Sequence, residues 1–96
     1  MQHELKTVQP FFDDVLTGKK KFEVRKNDRN FKVNDELLLR EYIPETNSYT
    51  GRELQMVITY ILNNADYCKD GYVILGIESI WDKLRRHIEE NCINKI

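Results

Sequence analysis

Gly18 divides this chain into two kinds of hydrophobic period, and that switch limits the folds open to it more than any other feature. Before it, Phe11, Phe12, Val15 and Leu16 recur at i, i+1, i+4 and i+5 behind Pro10. This is the pattern of a short amphipathic helix whose first turn tolerates a residue without an N–H. A glycine at the end of such a helix enters the left-handed region without a Cβ penalty. After it, Phe22 and Val24 alternate with Lys21, Glu23 and Arg25, a period of two that predicts a strand with one apolar and one charged face.

The rest of the chain reads mainly as strands. His3 to Val8 is a short one, with Leu5 and Thr7 on one face. Asn27-Asp28-Arg29-Asn30 is turn chemistry, and Val33-Asn34-Asp35 is a second tight turn in which Asn tolerates the left-handed conformation. Glu36 to Ile43 is apolar enough for a strand, Pro44 to Ser48 is a hairpin loop, and a long strand runs through Gln55 to Leu62. Tyr72 to Ile77 is a further strand, entered through Asp70-Gly71. One early helix followed by strands and turns excludes regular βα alternation and points to an α+β domain, mostly β, built as a mixed barrel or sandwich over residues 1–80. Residues 81–96 are a helical extension of that domain: Ser79 with Asp82 forms a capping box, and Ile80, Leu84, Ile88 and Cys92 recur every four residues. The stripe is narrow, so this helix either leans on its own body or pairs with another copy as a homodimer. Trp81, at its start, reads as a packing anchor.

With 96 residues there is room for one core, and 41% hydrophobic against 32% charged residues is a composition that folds. No run approaches the roughly 18 apolar residues of a membrane span, and the N-terminus lacks a signal-peptide core. A cytoplasmic protein without a membrane partner is expected. Cys68 and Cys92 fit two free, packed thiols of a reducing compartment. His3 and His87 have no second ligand at metal spacing, and no phosphate loop or dinucleotide fingerprint occurs, so neither a metal nor a cofactor is expected. Net charge is −1, but it is unevenly spread. Residues 18–32 hold Lys19, Lys20, Lys21, Arg25, Lys26, Arg29 and Lys32 against Glu23 and Asp28, while residues 33–81 hold three cations against eight acids. A cationic segment on an acidic body attracts phosphates and other anions.

Within that segment Glu23 and Arg25 share one strand face, about 6–7 Å apart, and can meet one ligand. Lys20 has the opposite parity and joins them only if the turn after Gly18 redirects it. An ammonium, a carboxylate and a forked guanidinium together can hold a phosphate and read the donor edge of a base. The same three residues also make a plain surface ion-pair ladder, which contributes little to stability.

The string G-x-K-x-x-E-x-R, filled by Gly18, Lys20, Glu23 and Arg25, resembles the signature of the ASCH superfamily. So do His3-Glu4-Leu5-Lys6, the run Phe22 to Arg29, Glu41-Tyr42, Tyr49-Thr50-Gly51-Arg52 and Thr59-Tyr60-Ile61-Leu62, which are similar to a small bacterial and phage branch of unknown function. The resemblance covers residues 3–77. Asn34 stands where that branch has Gly, and residues 81–96 extend past its usual end.

The resemblance implies a PUA-like β-barrel with a helix packed on it and a cleft between the two that binds RNA or a modified nucleobase. Lys20, Glu23, Arg25 and Arg29 would line the cleft. Arg25 and Lys20 would hold phosphate or a base acceptor, Glu23 would accept from an exocyclic amine or imino N–H, and Lys26 and Arg29 would guide the backbone. Tyr42, Tyr49, Tyr60 and Tyr72 are either stacking surfaces for unpaired bases or half-buried packing. Arg52 either adds an outer phosphate contact or sits exposed on its turn, and His3 either lines the cleft or frays with the N-terminus. The alternative is a small amidohydrolase or ribonuclease using Lys20 and Glu23 in the same cleft. The amidohydrolase pattern resembles G-x-K-x-x-T-x-R, however, and Glu23 stands in place of its Thr.

Overall fold

The computed structural model describes the backbone of residues 1–94 and the side chains of residues 1–90. In chain order the elements are β1 (Gln2–Thr7), α1 (Phe11–Leu16), β2 (Phe22–Lys26), β3 (Glu36–Ile43), β4 (Ser48–Leu62), β5 (Tyr72–Ser79) and α2 (Ile80–Asn94). The strands form one five-stranded sheet in the order β1-β3-β4-β5-β2. β1 runs parallel to β3, and the other pairs are antiparallel. The fold is thus mostly β, a half-barrel sheet with two helices.

Alternation builds the core. Leu5 of β1, Leu37 and Leu39 of β3, Met56 and Ile58 of β4, and Val73, Leu75 and Ile77 of β5 all point inward, joined by Val15 of α1 and by Phe31. Irregularities between Arg40 and Tyr42 and between Ile58 and Tyr60 bend β3 and β4, and such breaks let a sheet curl. Leu39 is wholly inaccessible, and burial of such a side chain is worth about 1.5–3 kcal/mol.

Turn chemistry sits where the sequence puts it. Gly18 has φ 82° and Asn34 has φ 77°, each in the left-handed region. Ser79 Oγ accepts the Asp82 N–H at 3.0 Å and caps α2. Pro10 lies just before α1, and its peptide bond to Gln9 is cis.

The terminal helix departs from expectation. Trp81 is 77% exposed and is no packing anchor, and Leu84 and Ile88 are also exposed. The helix projects from the end of β5 and lays little of its apolar stripe on the sheet. The packing expected of Cys92 lies outside the described side chains; Cys68 is a free thiol whose Sγ lies 3.4 Å from the Leu62 carbonyl oxygen. Among the described residues, no helix is long and apolar enough to cross a membrane.

Candidate functional site

β1 and β2 are the two edges of the sheet, and they are brought together by side chains. Arg25 donates from Nη1 to the Lys6 carbonyl at 3.0 Å and from Nη2 to Thr7 Oγ1 at 3.2 Å. Arg29 donates from Nη1 to the Glu4 carbonyl at 2.6 Å. An edge strand carries unpaired carbonyls that need donors, and here the two arginines supply them.

β2 has the two faces its period predicts, and the outer one is the apolar one: Phe22 and Val24 are 45% and 50% exposed, while Glu23 is only 3% exposed. Glu23 and Arg25 do share a face, but it is the inner one. The register with β5 sets this: Glu23 lies opposite the buried Leu75 and Arg25 opposite the buried Val73, so both point inward, toward the polar edge of β1.

The end of α1 delivers the third member. Thr17 N–H and Oγ1 both donate to the Asp13 carbonyl at 2.9 Å, Gly18 N–H donates to the Val15 carbonyl, and the reversed chain returns so that Lys20 N–H donates to the Asp14 carbonyl. This turn redirects Lys20 onto Glu23, and its Nζ stands 3.2 Å from Oε1. Arg25 Nε stands 3.3 Å from Oε2. Lys20, Glu23 and Arg25 therefore converge, in a cleft of about 630 Å³ between α1, the end of β1 and β2. Phe11 and Phe22 form its apolar walls, and the Lys20 ammonium lies 5.7 and 5.1 Å from their ring centres, within cation–π range. Lys6 and Lys19 add positive charge at the cleft.

One atom stands out. Among the described residues, Glu23 Oε1 is the buried side-chain oxygen without a hydrogen-bond partner. The Lys20 ammonium is close enough for an ion pair but meets it at an angle that makes no hydrogen bond. A buried acceptor left unmatched costs about 1–3 kcal/mol, more when charged.

The other expected site residues lie elsewhere. Lys26 is exposed beyond Arg25, and with Arg29 it borders a smaller hollow of about 320 Å³ beside Tyr72. Arg52 is drawn under α1, where Nη2 bonds Asp13 Oδ1 at 2.8 Å, Nε approaches Glu41 Oε1 at 3.6 Å and the guanidinium covers the Phe12 ring. Tyr60 is 64% exposed on β4, opposite Gly76 of β5, and is not part of the cleft. Tyr42 and Tyr49 stack edge to face, capped by Lys6 and Arg40. His3 is buried and neither frays nor lines the cleft: Nε2 pairs with Asp35 Oδ2 at 2.8 Å, and its ring meets Phe31 edge-on. That bond, with the Lys32 N–H and the N-terminal ammonium on the same carboxylate, holds the Asp35 carboxyl below its ordinary range.

Sequence reasoning missed the Phe11 and Phe22 walls and the part played by Thr7. It also missed a second polar cluster, in which Thr50 Oγ1 at 2.6 Å and the Gln9 amide both donate to Glu41 and hold its carboxyl below the usual glutamate value. Its early signal was the appearance of Glu41-Tyr42 and Tyr49-Thr50-Gly51-Arg52 among the segments that carry the resemblance.

A family model described as "Domain of unknown function (DUF3850)" matches residues 2–77. A relative from Escherichia phage P2, "Uncharacterized 12.9 kDa protein in GpA 3'region", is 41% identical over 73 residues, which is 76% of this chain and 64% of the relative. The match thus spans less than two thirds of that relative's own length.

Proposed function

The chain belongs to the DUF3850 family of domains of unknown function, and on that premise we propose that it binds RNA or a nucleobase in the cleft between α1 and β2. The observation that carries this reading is the convergence of Lys20, Glu23 and Arg25 in one cleft with phenyl walls and cationic neighbours. Cations draw the phosphate, the rings receive a flat heterocycle, and the carboxylate and guanidinium bond its edge. A half-barrel with a short helix beside its open seam is also the arrangement that a PUA-like fold of the ASCH superfamily would give. Lys26 and Arg29 flank the seam on its far side and suit the backbone of a strand leaving the cleft. The Lys20 ammonium is engaged with a carboxylate, which favours binding over nucleophilic attack.

The test is fluorescence anisotropy of a labelled single strand and a labelled stem-loop RNA, titrated with wild type and Lys20→Ala at two salt concentrations. Saturable binding that weakens with salt and loses about 1–3 kcal/mol in the variant is expected. Absence of binding to both RNAs overturns a strand site. Shortening of either RNA on a gel of the same samples would replace binding by the nuclease alternative.

A second reading concerns α2, and the exposure of Trp81, Leu84 and Ile88 favours it. Two such helices pairing antiparallel would cover these apolar side chains with one another, which makes a homodimer. Sedimentation velocity over a concentration series checks it: Leu84→Glu should abolish any dimer, and a monomer at all concentrations rules it out.

A further inference from the structure

The cleft floor has a polarity pattern, and resting on the reading of this cleft as a nucleobase site, we infer that it selects a ring bearing an imide edge, C=O, N–H, C=O, as in uracil. Three groups meet there in order. The Lys20 ammonium is a donor, Glu23 Oε1 is an acceptor, and the Arg25 guanidinium is a donor again. Arg25 spends Nε on Glu23 and one N–H of each terminal nitrogen on Lys6 O and Thr7 Oγ1, which leaves a second N–H on each terminal nitrogen.

The middle position decides the match. Glu23 is buried against the cleft, and Oε1 lacks an aligned donor even though Lys20 sits 3.2 Å away. An incoming ring that places an N–H there satisfies the atom, while its two flanking carbonyl oxygens accept from Lys20 and Arg25. The four-carbon stem of Lys20 lets the ammonium rotate off Oε1 and onto the ring oxygen, and the phenyl groups of Phe11 and Phe22 that now flank it are left to the ring.

Other bases match less well. Cytosine presents donor, acceptor, acceptor, and adenine presents donor, acceptor, so each reaches two of the three groups only by shifting register. Guanine presents acceptor, donor, donor and sets its amine against the Arg25 N–H groups. Because a site that must bond a polar edge rejects a ring that leaves its groups unpaired, the third hydrogen bond sets the preference.

The experiment is titration of the intact chain, followed by amide chemical shifts, with uridine, cytidine, adenosine and guanosine monophosphates, with N3-methyluridine monophosphate, and with a short oligouridine. Uridine monophosphate should bind about tenfold or more tightly than cytidine monophosphate, and N3-methylation, which removes only the central N–H, should abolish that advantage. Oligouridine separates a base held within a strand, which binds tighter than the mononucleotide, from a free nucleotide, which binds equally. Equal binding of all the monophosphates, methylated or not, overturns the imide assignment and leaves the cationic nucleobase site standing. Failure of every nucleotide to bind overturns both. The N3-methyl probe acts on the wild-type chain, so the outcome holds even if Glu23→Gln, which should also erase the uridine preference, proves unable to fold.

Discussion

Two glutamates are buried in this half-barrel, and they are finished to different degrees. Glu41 receives Thr50 Oγ1 on one oxygen and the Gln9 amide on the other, with Arg52 alongside, so its carboxylate is fully bonded. Glu23 has Arg25 on one oxygen and only a poorly aligned Lys20 on the other. The first cluster joins the start of α1 to the β3–β4 hairpin and lies outside the cleft. The second lines a cleft. A polar group that folding leaves incompletely matched, at the floor of a cavity, is where a ligand can supply what the chain does not.

That contrast can be broken by mutation. Glu41→Ala orphans Thr50, Gln9 and Arg52 at once and should give the largest effect, a fall of several degrees in the thermal unfolding midpoint, with nucleotide binding retained at temperatures where the variant is folded. Arg25→Lys keeps the charge but loses the fork that bridges Lys6 O and Thr7, and should cost about 1–2 kcal/mol in urea unfolding, with faster amide exchange along β1. Glu23→Gln removes a poorly matched buried charge, so its stability should stay within about 1 kcal/mol of wild type. If it falls as far as Glu41→Ala, the two clusters are both structural joints and the contrast fails.

Acid sharpens the comparison further. The carboxyls of Glu41 and Asp35 are held below their ordinary values in the folded chain, so the stability they contribute is present above those values and is lost as pH falls through the depressed ones. The unfolding midpoint should therefore drop as pH falls below about 4.5, with a shallower slope in Glu41→Gln. Trp81→Ala, at a position that touches little, should change stability by less than about 0.5 kcal/mol.

Much of this was legible in the chain because it is local. The period switch at Gly18, the left-handed Asn34 and the Ser79 cap each depend on a few neighbouring residues, and each is where the sequence places it. The orientation of β2 was not legible. Five residues alternating Phe22, Val24 with Glu23, Arg25 fit a buried apolar face and a buried polar face equally, and the choice lies in the register with β5, about fifty residues away in sequence, which sets Glu23 opposite Leu75 and Arg25 opposite Val73. Long-range pairing also decided His3, which meets Asp35 because β1 runs beside β3, and Arg52, which reaches from β4 to Asp13 of α1. Tyr60 was assigned by residue type, and register placed it on the outer surface, opposite Gly76.

The seam between β1 and β2 carries a mechanical consequence. A cylinder closed by a backbone ladder has its circumference fixed by strand number and stagger, whereas a cut cylinder spanned by flexible struts can widen or narrow without unpicking any strand. Arg25 and Arg29 are such struts, with Arg25 bordering the cleft and Arg29 the smaller hollow beside it. A shift of the Arg25 guanidinium therefore moves a wall of the cleft, and the girth of the domain at this seam is held by two side chains instead of a ladder.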